Sequence, residues 1–291
     1  MALTAIPQLT LIHHDSPFGR WEMARALPAP ALRAYVRGYE GYTEEVTNFA
    51  QRLEVPSRDV ALIINFGPAF EVAGPGELTT PIAYDSFVAG LHDSHALVAA
   101  TGPSNCLQVD FTPLGAHQFF GVPMAELTSR TVALDDLLGP TADRLVEQLR
   151  DVPSWAARFA LLDTLIAARL AAAPPPCDRL AWAWERLHTA HGRLDIAALA
   201  AEIGWSNRHL IARFREGFGL PPKTLARVLR FDHAVRLLQR HDAEPNWVAL
   251  ATACGYYDQA HLIRDFRAFS GNTPASFARR QIPDAGGVHG D

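Results

Sequence analysis

The sequence predicts an α+β protein: an N-terminal half of short antiparallel strands with flanking helices, then an all-helical C-terminal third. Three observations carry this. The last third contains a degenerate repeat at an offset of 52 residues. The first 112 residues are β-prone runs cut by Pro, Gly, Ser, Asp and Asn. Three consecutive prolines (174–176) separate the two regions, break the preceding helix and act as a short stiff spacer.

In chain order, the predicted strands are WEMARAL (21–27), YEGYT (39–43), VALIINFG (60–67), FEVAG (70–74), SFVAGL (86–91), HALVAAT (95–101) and CLQVDFT (106–112). Short strands at this spacing argue for an antiparallel barrel or sandwich. Helical patterns follow at 114–121, 135–139, 141–150 and about 154–172. The boundaries read as 1–170 for the first domain, 171–178 for the linker, 179–281 for the second domain and 282–291 for a disordered tail.

The repeat aligns SNRHLIARFREGFGLPPKTLAR (206–227) with DQAHLIRDFRAFSGNTPASFAR (258–279). His209 falls on His261, Leu210 on Leu262, Phe214 on Phe266, Gly219 on Gly271 and Pro222 on Pro274. Each unit parses as helix-turn-helix. Asp195 caps IAALAAEI and Gly204 stops it; Ser206 caps a second helix that Gly219 ends. In that helix Leu210, Ile211, Phe214 and Phe218 form the apolar stripe. In the second unit VALATAC ends at Gly255, Asp258 caps, Gly271 stops, and Thr273-Pro274 supplies N-cap and N1 of the next helix. Between the units, residues 222–240 form one amphipathic helix whose buried side is Leu225, Val228, Leu229, Val235 and Leu238. Two similar heads on one rigid body suit DNA, whose grooves recur every ~34 Å.

Residues 180–281 resemble the DNA-binding domain of the AraC/XylS family of transcriptional regulators. GYYDQAHLIRDFRAFSGNTPASF (255–277) is close to that family's signature, and RVLRFDHAVRLL (227–238) resembles its linker helix. The resemblance implies a cupin-like barrel in the N-terminal half that binds an effector or mediates dimerisation. It also implies promoter or operator DNA as partner, a homodimer and contact with RNA polymerase. Carried over residue by residue, the groove-facing positions of the first head are Arg208, Ile211 and Ala212, with Ser206 and Asn207 at the helix start and Arg215 near the backbone. In the second head they are Gln259, Ala260, His261 and Arg264, with Arg267 near the backbone. Ile211 and Ala212 depart from the polar residues often found there and can only pack against a thymine methyl.

Net charge is −5 overall, yet residues 1–170 carry −8 and residues 171–291 carry +3. Fourteen of the 15 basic residues in the C-terminal part are arginines, suited to bidentate contact with phosphates and guanine edges. With no run of 18 apolar residues and no signal-like N-terminus, a cytoplasmic protein outside the membrane is expected. Cys106, Cys177 and Cys254 fit reduced thiols.

Trp21, Tyr39, Phe66, Phe87 and Phe111, together with Tyr35 and Tyr42, are candidates for an apolar effector pocket, though at strand spacing most are more simply core. His92 and His95, with His117 or Asp110, could begin a metal site, but an exposed turn is the simpler reading of that spacing. No nucleophile elbow, P-loop or dinucleotide fingerprint is present, and neither enzyme activity nor a cofactor is expected. The reading is an effector-responsive, sequence-specific transcription regulator. Two alternatives stay open: a metal-dependent cupin enzyme fused to a DNA-binding tail, and a constitutive regulator with an N-terminal interaction module.

Overall fold

The computed structural model describes residues 9–17, 19–47, 51–74, 80–239, 245–282 and 287–290, the side chains of 46 and 47 excepted. The strands are β1 (Thr10–Ser16), β2 (Gly19–Ala26), β3 (Val36–Thr47), β4 (Arg52–Glu54), β5 (Val60–Asn65), β6 (Phe70–Ala73), β7 (Ile82–Tyr84), β8 (Phe87–Ala89), β9 (Ala96–Ala100), β10 (Asn105–Phe111), β11 (Thr131–Ala133), β12 (Gln281–Ile282) and β13 (Gly287–Val288). The helices are α1 (Pro113–Phe120), α2 (Leu134–Leu138), α3 (Thr141–Arg150), α4 (Trp155–Ala172), α5 (Asp178–Thr189), α6 (Ile196–Ile203), α7 (Asn207–Phe218), α8 (Pro222–Leu238), α9 (Trp247–Ala253), α10 (Gln259–Ser270) and α11 (Pro274–Arg279).

The N-terminal half is two antiparallel sheets. The larger has the order β1-β2-β3-β10-β5-β8-β11 and the smaller β4-β9-β6-β7. Strand β10 shows why the larger sheet has two unlike faces. Leu107, Val109 and Phe111 are fully buried, while Cys106, Gln108 and Asp110 point to the opposite side. This is the period-2 alternation of a pleated strand. The apolar face packs under α1 and α4. Phe159 of α4 stacks on Tyr39 at 5.5 Å, and Phe119 and Phe120 of α1 meet Phe111. Asp163 is buried on α4, but the Tyr39 hydroxyl donates to it at 2.8 Å and the Ala29 amide at 3.1 Å. Those two donors replace the water that the carboxylate loses.

Four expected caps, Asp195, Ser206, Asp258 and Thr273, are in place, and Thr112 and Ser154 add two not read from the sequence. Thr112, Ser154, Asp195, Ser206, Asp258 and Thr273 each accept a backbone N–H at the start of α1, α4, α6, α7, α10 and α11. Helix α5 lies ahead of the repeat and adds Leu180, Trp184 and Leu187 to the core. One apolar cluster runs unbroken from the two-sheet N-terminal half into the helical domain. Helix α7 packs on α1 and on the turn Met124–Glu126, and Trp184 meets Phe218 at 5.4 Å.

Two expectations are corrected. The tail is not disordered where it is described: β12 pairs with β13, His289 bridges Arg52, and the Gly290 amide donates to the Gln51 carbonyl at 2.8 Å. Residues 283–286 and 291 of that tail lie outside the described residues. Ile211 is not part of the buried stripe. It is 38% exposed, while Leu210, Phe214 and Phe218 are fully buried. At about 100° per residue, position i+1 lies well off the axis of a stripe set by i, i+4 and i+8.

Candidate nucleic-acid interface and inter-sheet cavity

The two helices at matched positions of the repeat are α7 and α10, and they are built alike. Ser206 accepts the His209 amide at 3.2 Å, and Asp258 accepts the His261 amide at 2.7 Å. The two matched histidine rings each stand edge-on to an aromatic that precedes the helix: His209 to Trp205 at 4.8 Å, and His261 to Tyr256 at 5.1 Å. The inner faces are fixed by fully buried residues at equivalent positions, Leu210 with Phe214 and Leu262 with Phe266. That burial leaves Ser206, Asn207, Arg208, Ile211, Ala212 and Arg215 exposed on the first helix, and Gln259, Ala260, Arg264 and Arg267 on the second. His261 is half-buried against Tyr256. Tyr257, beside the Asp258 cap, is 93% exposed and had no signal in the sequence to single it out.

The heads are not identical. Asp265 of α10 is buried, and Arg227 of α8 donates to its Oδ1 at 2.7 Å. One repeat earlier the position of Asp265 is held by Arg213, which pairs at the surface with Glu216 at 2.6 Å. The connecting helix α8 has 17 residues, roughly 25 Å of rigid spacer.

Residues 199–280 match the family described as a helix-turn-helix domain, and residues 24–133 match a domain of unknown function, DUF6597. The C-terminal part of the chain is an AraC-type helix-turn-helix domain. Over 97 residues the chain is 38% identical to the HTH-type transcriptional regulator GlxA of Rhizobium meliloti (strain 1021), a match covering 33% of this chain and 29% of that protein. The chain is also similar to ToxT from Vibrio cholerae O395, at 9% identity and a TM-score of 0.47 over 83% of this chain and 97% of that one. For the AraC-like transcriptional activator CuxR the values are 14% and 0.24, over 80% and 81%.

Where the AraC-type domain meets the barrel, its two matched C-cap glycines are both in contact with the N-terminal half. Gly219 (φ +83°) lies against Thr128 and the Met124 carbonyl, and a Cβ on Gly271 (φ +70°) would sit 3.1 Å from the His95 ring. A polar cluster closes the joint beside them. Arg58 and Arg37 of the barrel donate to His188 Nε2 of α5 at 3.2 and 3.3 Å. His188 must accept from both and is therefore neutral. Burial first, then the two arginines, hold its pKa down at about 3.

The two sheets enclose a cavity of about 1140 Å³. Its lining mixes carboxylates (Glu40, Glu44, Glu54, Asp59, Asp110), Arg25, Arg52, Cys106 and Gln108 with the rings of Tyr42, Phe70 and Phe87. Arg25 is paired with Glu40 at 2.8 Å, and Arg52 with Glu44 at 2.9 Å beneath Tyr42. Burial pushes the Asp110 carboxyl up to about 8, helped by Glu40 and Asp59. Asp59 is pushed up to about 6 by burial. The strap after α11 closes one side of the cavity, with Gln281, Ile282 and Gly287 in its wall and Ile282 packed on Trp21, Met23 and Tyr42.

Of the aromatics named from sequence, Phe87 and Tyr42 line this cavity. Tyr39 and Phe111 lie on the other face of the sheet, fully buried under α4 and α1. Trp21 stacks on His14, and Phe66 lies beneath Arg158. The polar lining went unread because Cys106, Gln108 and Asp110 look like the solvent side of an edge strand. The alternation was legible; that a second sheet covers it was not. His92 lines the cavity, His95 faces Gly271, and His117 Nδ1 meets the Val122 carbonyl at 2.9 Å. Among the described residues no three metal-ligating side chains converge.

Proposed function

We propose that this protein is a sequence-specific DNA-binding transcriptional regulator whose N-terminal half binds a small-molecule effector. The observation that carries it is the matched exposure of the two reading helices. Their inner faces are pinned by identical residue types, and the outward positions are those that the AraC-type pattern aims at a groove. In the second head Gln259 and Arg264 supply bidentate hydrogen bonds to base edges, with Ala260 and His261 beside them. In the first, Arg208 is the hydrogen-bonding reader, and Ile211 with Ala212 packs on thymine methyls. Ser206 and Asn207 sit at a helix N-terminus suited to a phosphate, and Arg215 and Arg267 flank the backbone.

Control by a ligand is supported by the path from cavity to heads. His92 and Ser94 line the cavity, and His95 touches the C-cap of α10; Thr131 lines it, and Thr128 touches the C-cap of α7. A homodimer acting at the nucleoid on paired sites, in contact with RNA polymerase, completes the proposal. Binding-site selection with the full chain tests it. One half-site should carry hydrogen-bonded base demands and the other a thymine-rich, shape-dependent preference. A selection that returns no sequence preference would reject the regulator reading.

A further inference from the structure

Resting on the effector reading above, we propose that the cavity's ligand is an organic cation: an amine or guanidine carrying an apolar or aromatic body. The lining holds five carboxylates and two arginines, and both arginines are already committed to Glu40 and Glu44. No lining cation is therefore left to seat a carboxylate or a phosphate. Two carboxylates lack a cationic partner. Asp110 receives one hydrogen bond, from Gln108 to Oδ1 at 2.7 Å, and Glu54 forms no hydrogen bond or ion pair among the described residues. Glu54 is exposed rather than buried, and it stands in the cavity wall beside Arg52 and Val55. Both carboxyls feel Glu40, so they belong to one negative region.

Asp110, in the cavity wall without an ion-pair partner, is costly to ionise, and a neutral ligand would deepen that cost by expelling water. A cation reverses it. The rings of Phe70 and Phe87, edge-to-face at 6.2 Å, offer the apolar and cation–π surface for the rest of the molecule. A bare metal ion fits poorly: the space is at the upper end for a drug-sized ligand, and no three ligating side chains meet. The raised Asp110 carboxyl agrees with this, because it holds a proton that an arriving cation would displace.

The test uses the full chain and two charge-matched triads: 2-phenylethylamine, 2-phenylethanol and phenylacetate; and putrescine, 1,4-butanediol and succinate. Thermal shift and calorimetry are read near neutral pH. The amine of at least one triad should raise Tm while its neutral and anionic counterparts do not. Asp110→Asn and Glu54→Gln should each weaken that amine's binding by roughly tenfold or more. A second readout needs no variant. Calorimetry in buffers of different ionisation enthalpy should show protons released on amine binding, mainly from Asp110, against the groups that face it (Glu40, Asp59, Arg25 and Gln108). Amines that leave Tm unchanged, or alcohols and carboxylates that bind as well, would overturn the inference. DNA binding measured in the same samples separates the two readings. An amine that binds without altering DNA affinity supports the ligand class and rejects the sensor. A carboxylate that binds and alters DNA affinity does the reverse.

Discussion

Removing Arg227 should unseat the second reading head. Asp265 sits on the inner side of α10, with its side chain only 4% exposed. Arg227 reaches its Oδ1 with two guanidinium nitrogens, at 2.7 and 3.3 Å, and Oδ2 has no hydrogen-bond partner. At 2.7 Å and an effective dielectric near 20, the gross attraction is about 6 kcal/mol, most of it offset by the cost of desolvating the carboxylate. Losing one partner of a buried pair typically costs about 3–5 kcal/mol. The Arg227 side chain is 43% exposed, so water screens the pair and the cost falls below that range, to about 2–3 kcal/mol. Arg227→Ala should therefore destabilise the full chain by that amount in urea titration. It should also weaken specific DNA binding, because Arg264 and Arg267 flank Asp265 on the same helix. The double variant Arg227→Met with Asp265→Leu removes the stranded charge and should restore most of the stability. A loss below about 0.5 kcal/mol for Arg227→Ala would refute the assignment of this pair as the tie between α8 and α10.

Arg264→Ala should cost about 1–3 kcal/mol of specific binding and relax preference at one base position, checked by binding-site selection. Gly204 and Gly219 share a positive φ, but a Cβ on Gly204 meets nothing while one on Gly219 meets Thr128. Gly204→Ala should cost about 1–2 kcal/mol from backbone strain alone, and Gly219→Ala clearly more, measured by denaturation of the two variants side by side. For pH, Asp110 binds its proton up to about 8 in the folded state against an ordinary carboxylate value of 3.8, so its contribution to stability falls as pH rises through that window. His188, held at about 3, loses stability only below its ordinary 6.5, so the range 6.5–8 isolates the carboxyl. Wild-type Tm should drop between pH 6.5 and 8, and Asp110→Asn should flatten the drop. Deleting residues 281–291 should open the cavity and expose Trp21 and Tyr42, read as a red shift and increased quenching of tryptophan fluorescence.

Within the helical domain nearly everything local was legible. The caps, the left-handed glycine stops and the 3.6-residue stripes are short-range consequences of backbone geometry, so Ser206, Asp258, Gly219 and Gly271 fixed α7 and α10 before any packing was known. The strands were legible as strands for the same reason, through the alternation of residues such as Leu107, Val109 and Phe111 against Cys106, Gln108 and Asp110. What covers each face of a strand depends on residues far away in sequence, and there the reading stopped. Tyr39 and Phe111 are core because α4 and α1 lie on them; Asp110 faces a cavity because β4, β6 and β9 lie opposite it. The bridge of His289 to Arg52 and the contacts of Gly219 and Gly271 with the N-terminal half join segments about ninety or more residues apart. Local sequence alone specified α7 and α10 and their outward residues, since burial of one helix face dictates the other. That the two sheets enclose an acidic cavity and that the N-terminal half touches both C-cap glycines came from long-range packing, because those arise from how distant surfaces meet, and no local periodicity encodes which surfaces those are.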